Sequence, residues 1–220
     1  LFMAATLYVR RHKGVRRAAL GAIVPLDNTF IIVDSGANTD ATPELLLQFA
    51  KMGSLYCENL LGVKSPRIGL LNNGSEPNKG TDLYKQSYEL LKESDLNFVG
   101  NCEGRDLPND FCDVVVCDGF TGNILLKTIE GMGKFMSRSI KKMFHKSFFT
   151  MMGALFAKAG LDTLSKSLDH KEHGGAPFLG IAKPVIKIHG AAEEKSVIAA
   201  IKQAKNYHQT GLNDKIGKSV

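Results

Sequence analysis

The chain has no tryptophan, and its 220 residues include only four cysteines and seven prolines. Cys57, Cys102, Cys112 and Cys117 form no CxxC pair, and Cys117 falls inside the apolar run Asp113-Val-Val-Val-Cys117. That spacing is too sparse for a disulfide framework and too wide for a zinc site. Reduced, buried thiols in a cytoplasmic protein are expected. No apolar run approaches the roughly 20 residues of a membrane-spanning helix, and no cleavable signal segment is visible. Leu1 stands in what reads as the middle of a helix over residues 1–11, so upstream sequence is expected and a missing targeting segment has little weight. Neither GxGxxG after a strand nor GxxxxGKS/T occurs, so no dinucleotide or P-loop fingerprint is present.

What the chain does have is ordinary globular composition, 44% apolar and 23% charged, which excludes disorder. Its length suits one large domain or one and a half small ones, enough to bury a proper core. The net charge of +6 invites a nucleic-acid reading, but the excess is local. Eight Lys or Arg and two Asp lie between Lys134 and Lys171, and the remainder balances.

Apolar runs at 18–24, 30–33, 67–71, 97–99, 114–117 and 185–190 read as strands. Helical spacing covers 45–61, with Pro43 in the first turn and Gly62 past the end, then 81–92, a long segment after 118–123, and 191 to about 207. Residues after Thr210 read as a loose tail. The alternation predicts an α/β fold with a mainly parallel sheet. In such folds ligands lie outside the carboxyl ends of the strands. The loops 34–38, 72–80, 100–106 and 118–123 all follow strands and are expected to converge on one crevice.

Each of those loops offers Gly for close backbone approach and Asn, Asp or Lys for contacts. Two open helices and can hold an anion on backbone N–H groups: Asn78 to Thr81, where Lys79 and Gly80 stand, and Gly119 to Asn123. Asn38, Asn101 and Asn123 carry donors suited to a developing oxyanion, though Asn also closes turns for its own reasons. Asp34 and Asp118 end strands and either orient a donor or cap a turn. His189 ends a strand, where an imidazole can bind phosphate or protonate a leaving thiolate. His170 and His173 make no metal motif, and no metal is expected.

A second feature occupies residues 134–156. Met136, Ile140, Met143, Phe144, Phe148, Met151, Met152 and Leu155 recur at helical spacing, with Lys134, Arg138, Lys141, Lys142 and Lys146 mostly on other faces. Such a helix suits an anionic membrane surface, with Phe148, Phe149, Met152 and Lys142 in contact. The same pattern also fits a helix packed into a core or a dimer seam.

The strings Gly69-Leu-Leu-Asn-Asn-Gly74, Asn78-Lys-Gly80, Phe98-Val-Gly-Asn-Cys-Glu-Gly-Arg-Asp106, Asp113-Val-Val-Val-Cys-Asp-Gly-Phe-Thr-Gly-Asn123, Gly174-Gly-Ala-Pro177 and Lys187-Ile-His-Gly190 stand in one order. In them the chain resembles the acyl-[acyl carrier protein]:phosphate acyltransferases of bacterial phospholipid synthesis, from the first residue to about Lys205. Asn73, Ser75 and His173 depart from the usual residues. The resemblance implies that about the first third of a family member, with its Gly- and Asp-rich opening motif, is missing. It implies a Rossmann-like three-layer α/β/α fold of the isocitrate dehydrogenase and phosphotransacetylase type, one α/β domain over 1–220 with a protruding amphipathic helical pair inserted at about 134–170. It implies transfer of a long-chain acyl group from acyl carrier protein to inorganic phosphate without a cofactor or nucleic acid. Lys79, Asn123 and His189 are then expected to be catalytic, and Asn38, Gly80, Asn101, Asp118 and Gly119 to bind phosphate or substrate. A homodimer, peripheral contact with an anionic membrane and a downstream glycerol-3-phosphate acyltransferase follow as expected associations. Two other readings stay open on the residues: a decarboxylating dehydrogenase on the related fold, which would need clustered Asp for Mg²⁺, and a non-catalytic module that binds membrane or carrier protein.

Overall fold

Seven strands pair into one sheet in the computed structural model, which describes residues 1–26, 28–167, 175–190 and 192–219. They are β1 (Ala19–Pro25), β2 (Thr29–Val33), β3 (Ile68–Leu71), β4 (Phe98–Cys102), β5 (Val114–Val116), β6 (Ala176–Leu179) and β7 (Ile186–Lys187), in the spatial order β4-β3-β5-β2-β1-β6-β7. The four strands β4, β3, β5 and β2 run parallel; β1, β6 and β7 each pair antiparallel with their predecessor in that row.

Side-chain alternation divides the core. Ile31, Val33, Val114 and Val116 face one layer, and Phe30, Ile32, Val115 and Cys117 the other. The first layer is built on α2 (Pro43–Tyr56), which continues into a π-helical turn, Cys57–Leu61. Thr42 caps its start, Pro43 holds the first turn, and Gly62 ends the turn at φ +72°. Leu45, Leu46, Phe49 and Met52 recur at helical spacing and are buried. Helix α3 (Asp82–Lys92) lies in the same layer, with Tyr88 edge-on to Phe98 at 5.1 Å. The other layer is the first part of α4 (Gly119–Phe144), where Leu125, Leu126 and Ile129 pack on the sheet. Helices therefore cover both faces, as the three-layer expectation required.

The second half of α4 and the following α5 (Phe148–Ser167) form a helical hairpin whose large side chains face outward. Phe149 and Phe156 are 84% and 87% exposed, and Phe148, Met143, Met151 and Met152 are exposed with them. No described helix is long and apolar enough to cross a membrane. His170, Lys171, His173, Gly174 and Ala191 lie outside the described residues.

Near the start of the chain, α1 (Phe2–Ala4) continues as a π-helical turn, Ala5–Val9, with Phe2 against Phe178. The reading of residues after Thr210 as a loose tail is corrected. After α6 (Glu194–Gln209), the helix α7 (Leu212–Ser219) docks on α2 with Leu212 and Ile216 fully buried. Two apolar residues four apart are enough to anchor a two-turn helix once a groove exists. The four cysteines are free and buried. Burial pushes the Cys57 and Cys117 thiols up, and contact with Cys112 together with burial does the same to Cys102. These three remain protonated and unreactive.

Candidate active site

Because β2, β5, β3 and β4 run parallel, their carboxyl ends share one edge of the sheet, and the loops after them meet there. The loop after β2 is organised by Asp34, which is fully buried. Its Oδ1 accepts from the backbone N–H groups of Leu20, Gly36 and Ala37 at 2.9–3.0 Å, and its Oδ2 from the backbone and side chain of Asn38, both at 2.7 Å. Burial pushes this carboxyl up, and the donors act against that shift. The Asn38 amide gives its second N–H to the carbonyl of Ala18 at 2.9 Å. Both donors of Asn38 are committed, so it shapes the loop and has no N–H left for a substrate.

The start of α4 packs directly on this loop. The N–H of Gly119 donates to the carbonyl of Asn38 at 2.6 Å, and a Cβ on Gly122 would stand 2.0 Å from the carbonyl oxygen of Asp34. Only glycine permits that approach. Asp118 caps the helix: Oδ1 accepts from the N–H groups of Phe120 and Thr121, and Oδ2 from the Thr121 hydroxyl at 2.7 Å and the Tyr84 hydroxyl at 2.5 Å. Burial raises the Asp118 carboxyl, but those four donors outweigh it and hold the group below the usual carboxylate range. The first-turn N–H groups of α4 are thus satisfied by Asn38 and Asp118, and no backbone donor is left for an anion there. Asn123, one turn along, is different. Its exposed side chain lies over Gly36 and makes no hydrogen bond among the described residues.

The other helix start fits an anion better. The N-terminus of α3 receives no side-chain cap. Gly80, at φ +84°, precedes it; a Cβ there would meet the Asn72 side chain at 2.6 Å. Asn72 accepts from the N–H of Asn73 and donates to the carbonyl of Lys79 at 3.2 Å, which folds the loop after β3. Asn101, buried on β4, donates to the carbonyl of Glu76 at 2.8 Å, while its Oδ1 has no partner among the described residues. The Lys79 ammonium is half exposed and 3.8 Å from the Glu76 carboxylate. An exposed pair at that separation contributes little and gives way readily to a stronger anion. Through its bond to Asp118, Tyr84 on α3 ties this loop to the start of α4.

Lys79, Gly80, Asn101, Asn38, Asp118, Gly119 and Asn123 are thus brought to one edge. His189 is not. The strand β7 is antiparallel to β6, and β6 is parallel to β2, so the chain leaves β7 at the opposite edge of the sheet. Three successive antiparallel pairings, β2 with β1, β1 with β6 and β6 with β7, put it there, and a lone strand-end histidine gives no sign of them.

Tyr84 gave no signal in the sequence beyond an aromatic residue in a helix. The run Arg10-Arg-His-Lys-Gly-Val-Arg-Arg17 holds five Arg or Lys and no acid, a signal concealed by the overall balance outside 134–171. It flanks a cavity of about 280 Å³ lined by Phe2, Thr6, Arg11, Arg17, Ala37 and Asn38 at the crevice edge. A larger cavity, about 360 Å³, lies at the opposite edge, before β3 and β4. Among the described residues no group of three or more His, Cys, Asp or Glu is placed to hold a metal.

Comparison with known proteins agrees with this architecture. The model of a family described as fatty acid synthesis protein matches residues 1–215. A phosphate acyltransferase of Caldanaerobacter subterraneus subsp. tengcongensis is 47% identical over 94% of this chain and 62% of its own length. One from Clostridium novyi is 48% identical over 98% and 65%. The chain thus spans somewhat under two thirds of these relatives. Among solved structures, a branched-chain phosphotransacylase from Enterococcus faecalis matches with a TM-score of 0.54 at 14% identity, covering 93% of this chain and 77% of that one. A phosphotransacetylase from Streptococcus pyogenes matches at 0.52 and 14%, covering 99% and 58%. These two show a shared fold. The family match and the curated relatives establish the rest: the chain belongs to the phosphate acyltransferase family.

Proposed function

We propose that the full protein transfers a long-chain fatty acyl group from acyl carrier protein to inorganic phosphate, giving an acyl phosphate for phospholipid synthesis. The observation that supports this most is the pairing, at one sheet edge, of an uncapped helix start beside Lys79 with the uncommitted amide of Asn123. The first suits a phosphate anion, through backbone N–H groups and one cation. The second suits the oxygen of a thioester carbonyl as it takes on charge. In the reaction a phosphate oxygen attacks the thioester carbon, the carbonyl oxygen becomes an oxyanion, and its collapse breaks the carbon–sulfur bond and releases thiolate. Lys79 holds the nucleophile, Asn123 donates to the oxyanion, and Asn38, Gly80, Asn101, Asp118 and Gly119 keep the loops in register. His189 takes no part in this reading.

The experiment is Lys79→Ala in the full-length enzyme, with acyl phosphate formation followed at limiting phosphate. Loss of one cation from a partly desolvated dianion site lowers activity by about 10²-fold or more, with an unchanged melting temperature. Unaltered turnover at limiting phosphate refutes the role.

The same reading makes the protein a cytoplasmic homodimer that binds an anionic membrane peripherally through the α4–α5 hairpin. Support comes from the exposure of Phe148, Phe149 and Met152 beside Lys142, with Lys134, Arg138, Lys141 and Lys146 along the same stretch. Each cation near such a surface contributes about 1 kcal/mol, and shallow insertion of Phe and Met adds the apolar share. Membrane contact places an acyl phosphate where a glycerol-3-phosphate acyltransferase can consume it.

A further inference from the structure

Beyond the α4–α5 hairpin, the second concentration of positive charge is the segment from Arg10 to Arg17, and its setting is different. The backbone of residues 10–12 is clamped along the continuation of β6. The carbonyl of Arg10 accepts from Ala182 at 2.9 Å, Arg11 bridges Ile181, and the N–H of His12 donates to the carbonyl of Gly180 at 3.0 Å. Leu179 of β6 pairs with Ala19, and Gly21 with Val33, so this continuation rises at the edge where the crevice lies.

Within the run, Arg17 is engaged by Asp40 at 3.0 Å and Arg16 stands 3.9 Å from Glu44. Arg10, Arg11 and Lys13 are exposed and have no ion pair among the described residues. The crevice edge thus carries, at its Asn38 end, three exposed cations with no ion pair among the described residues, and Arg11 lines the cavity that Asn38 also lines. The hairpin cations begin at Lys134, in the second half of α4, and exposed Phe and Met accompany them.

We propose that the rim of Arg10, Arg11 and Lys13 docks an acidic protein that carries the thioester substrate and presents its thioester to the Asn38 end of the crevice; this rests on the reaction proposed above. A macromolecular carrier must deliver its reactive carbon into the crevice, so its docking surface has to border the crevice. Fixed cations at such a border raise the encounter rate with an acidic partner and set its orientation. The hairpin does not border the crevice, since fifteen helical residues, about 22 Å at 1.5 Å per residue, separate Lys134 from the start of α4.

The test uses the full-length enzyme carrying Arg10→Glu, Arg11→Glu and Lys13→Glu together. All three side chains are exposed, so the melting temperature should be preserved. The KM for an acyl-carrier-protein thioester is expected to rise roughly tenfold or more and to lose its dependence on ionic strength. The kcat, and the turnover of a small carrier-free acyl thioester, are expected to stay within twofold. A matched triple reversal on α6, at Lys195, Lys202 and Lys205, changes net charge equally and should leave that KM unaltered. An unchanged KM in the rim variant, or an equal rise in the α6 variant, would overturn the proposal. Direct binding of the carrier protein, read by fluorescence anisotropy, separates the two claims. If the wild type makes no acyl phosphate from either thioester, the assigned reaction fails, yet carrier binding lost only in the rim variant still supports the docking surface; binding retained by that variant refutes it.

Discussion

Replacing Gly122 with alanine tests the close approach of α4 to the loop after β2. The added Cβ would lie 2.0 Å from the carbonyl oxygen of Asp34, 2.9 Å from the sulfur of Cys117 and 3.0 Å from the Asp34 carbonyl carbon. Two of these are backbone atoms that cannot swing aside. Reaching even the tightest tolerable separation requires the helix start to move by about 1 Å, since carbon–carbon contacts are optimal near 3.5–4.0 Å. That displacement breaks the 2.6 Å bond from Gly119 to Asn38 and loosens the cap at Asp118. Overpacking of a filled core costs about 1–3 kcal/mol, and with rigid backbone opposed we expect about 3. At about 2–4 °C per kcal/mol for a chain of this size, the melting temperature should fall by roughly 6–12 °C. Gly131→Ala, in the same helix, is the control: a Cβ there meets nothing within 4 Å. That substitution should stabilise by about 0.5–1 kcal/mol, through reduced backbone entropy of the unfolded chain. Thermal unfolding followed by circular dichroism reads both. A Gly122→Ala variant that melts within 2 °C of the wild type, or two variants that shift in the same direction, would show that the helix start does not sit where described.

Asp118 has a folded-state pKa below its ordinary value of 3.8, so its stabilising share is complete above that value and is lost as pH falls through the lower one. Wild type should therefore exceed Asp118→Ala by about 1–2 kcal/mol at pH 7, and urea midpoints should show the gap narrowing toward pH 3; a gap that is constant or widens in acid contradicts the assignment. Phe148→Ser with Phe149→Ser should abolish co-flotation with anionic vesicles while preserving the melting temperature, because both rings are exposed; persistent flotation, or a large loss of stability, would return the hairpin to a structural role.

Much of the parallel half of the molecule was legible as local pattern. Runs such as Phe30 to Val33 and Val114 to Cys117 alternate between two buried faces, and a strand buried on both sides has to be apolar throughout. Pro43 and Gly62 bracket α2 because each acts through its own backbone geometry. The convergence of the polar loops also followed, since parallel strands put every post-strand loop at one edge. Tertiary structure alone decided the rest. It committed both Asn38 donors to Asp34 and Ala18, closed the N-terminus of α4 with its own cap while leaving that of α3 uncapped, and sent His189 to the far edge. It also turned the residues after Thr210 into a docked helix on the strength of Leu212 and Ile216. The physical reason is common to all four. Periodicity and turn chemistry are short-range and repeat along the chain, whereas the partner that satisfies a given N–H, or the groove that buries a given leucine, comes from residues distant in sequence and is fixed only when the layers pack.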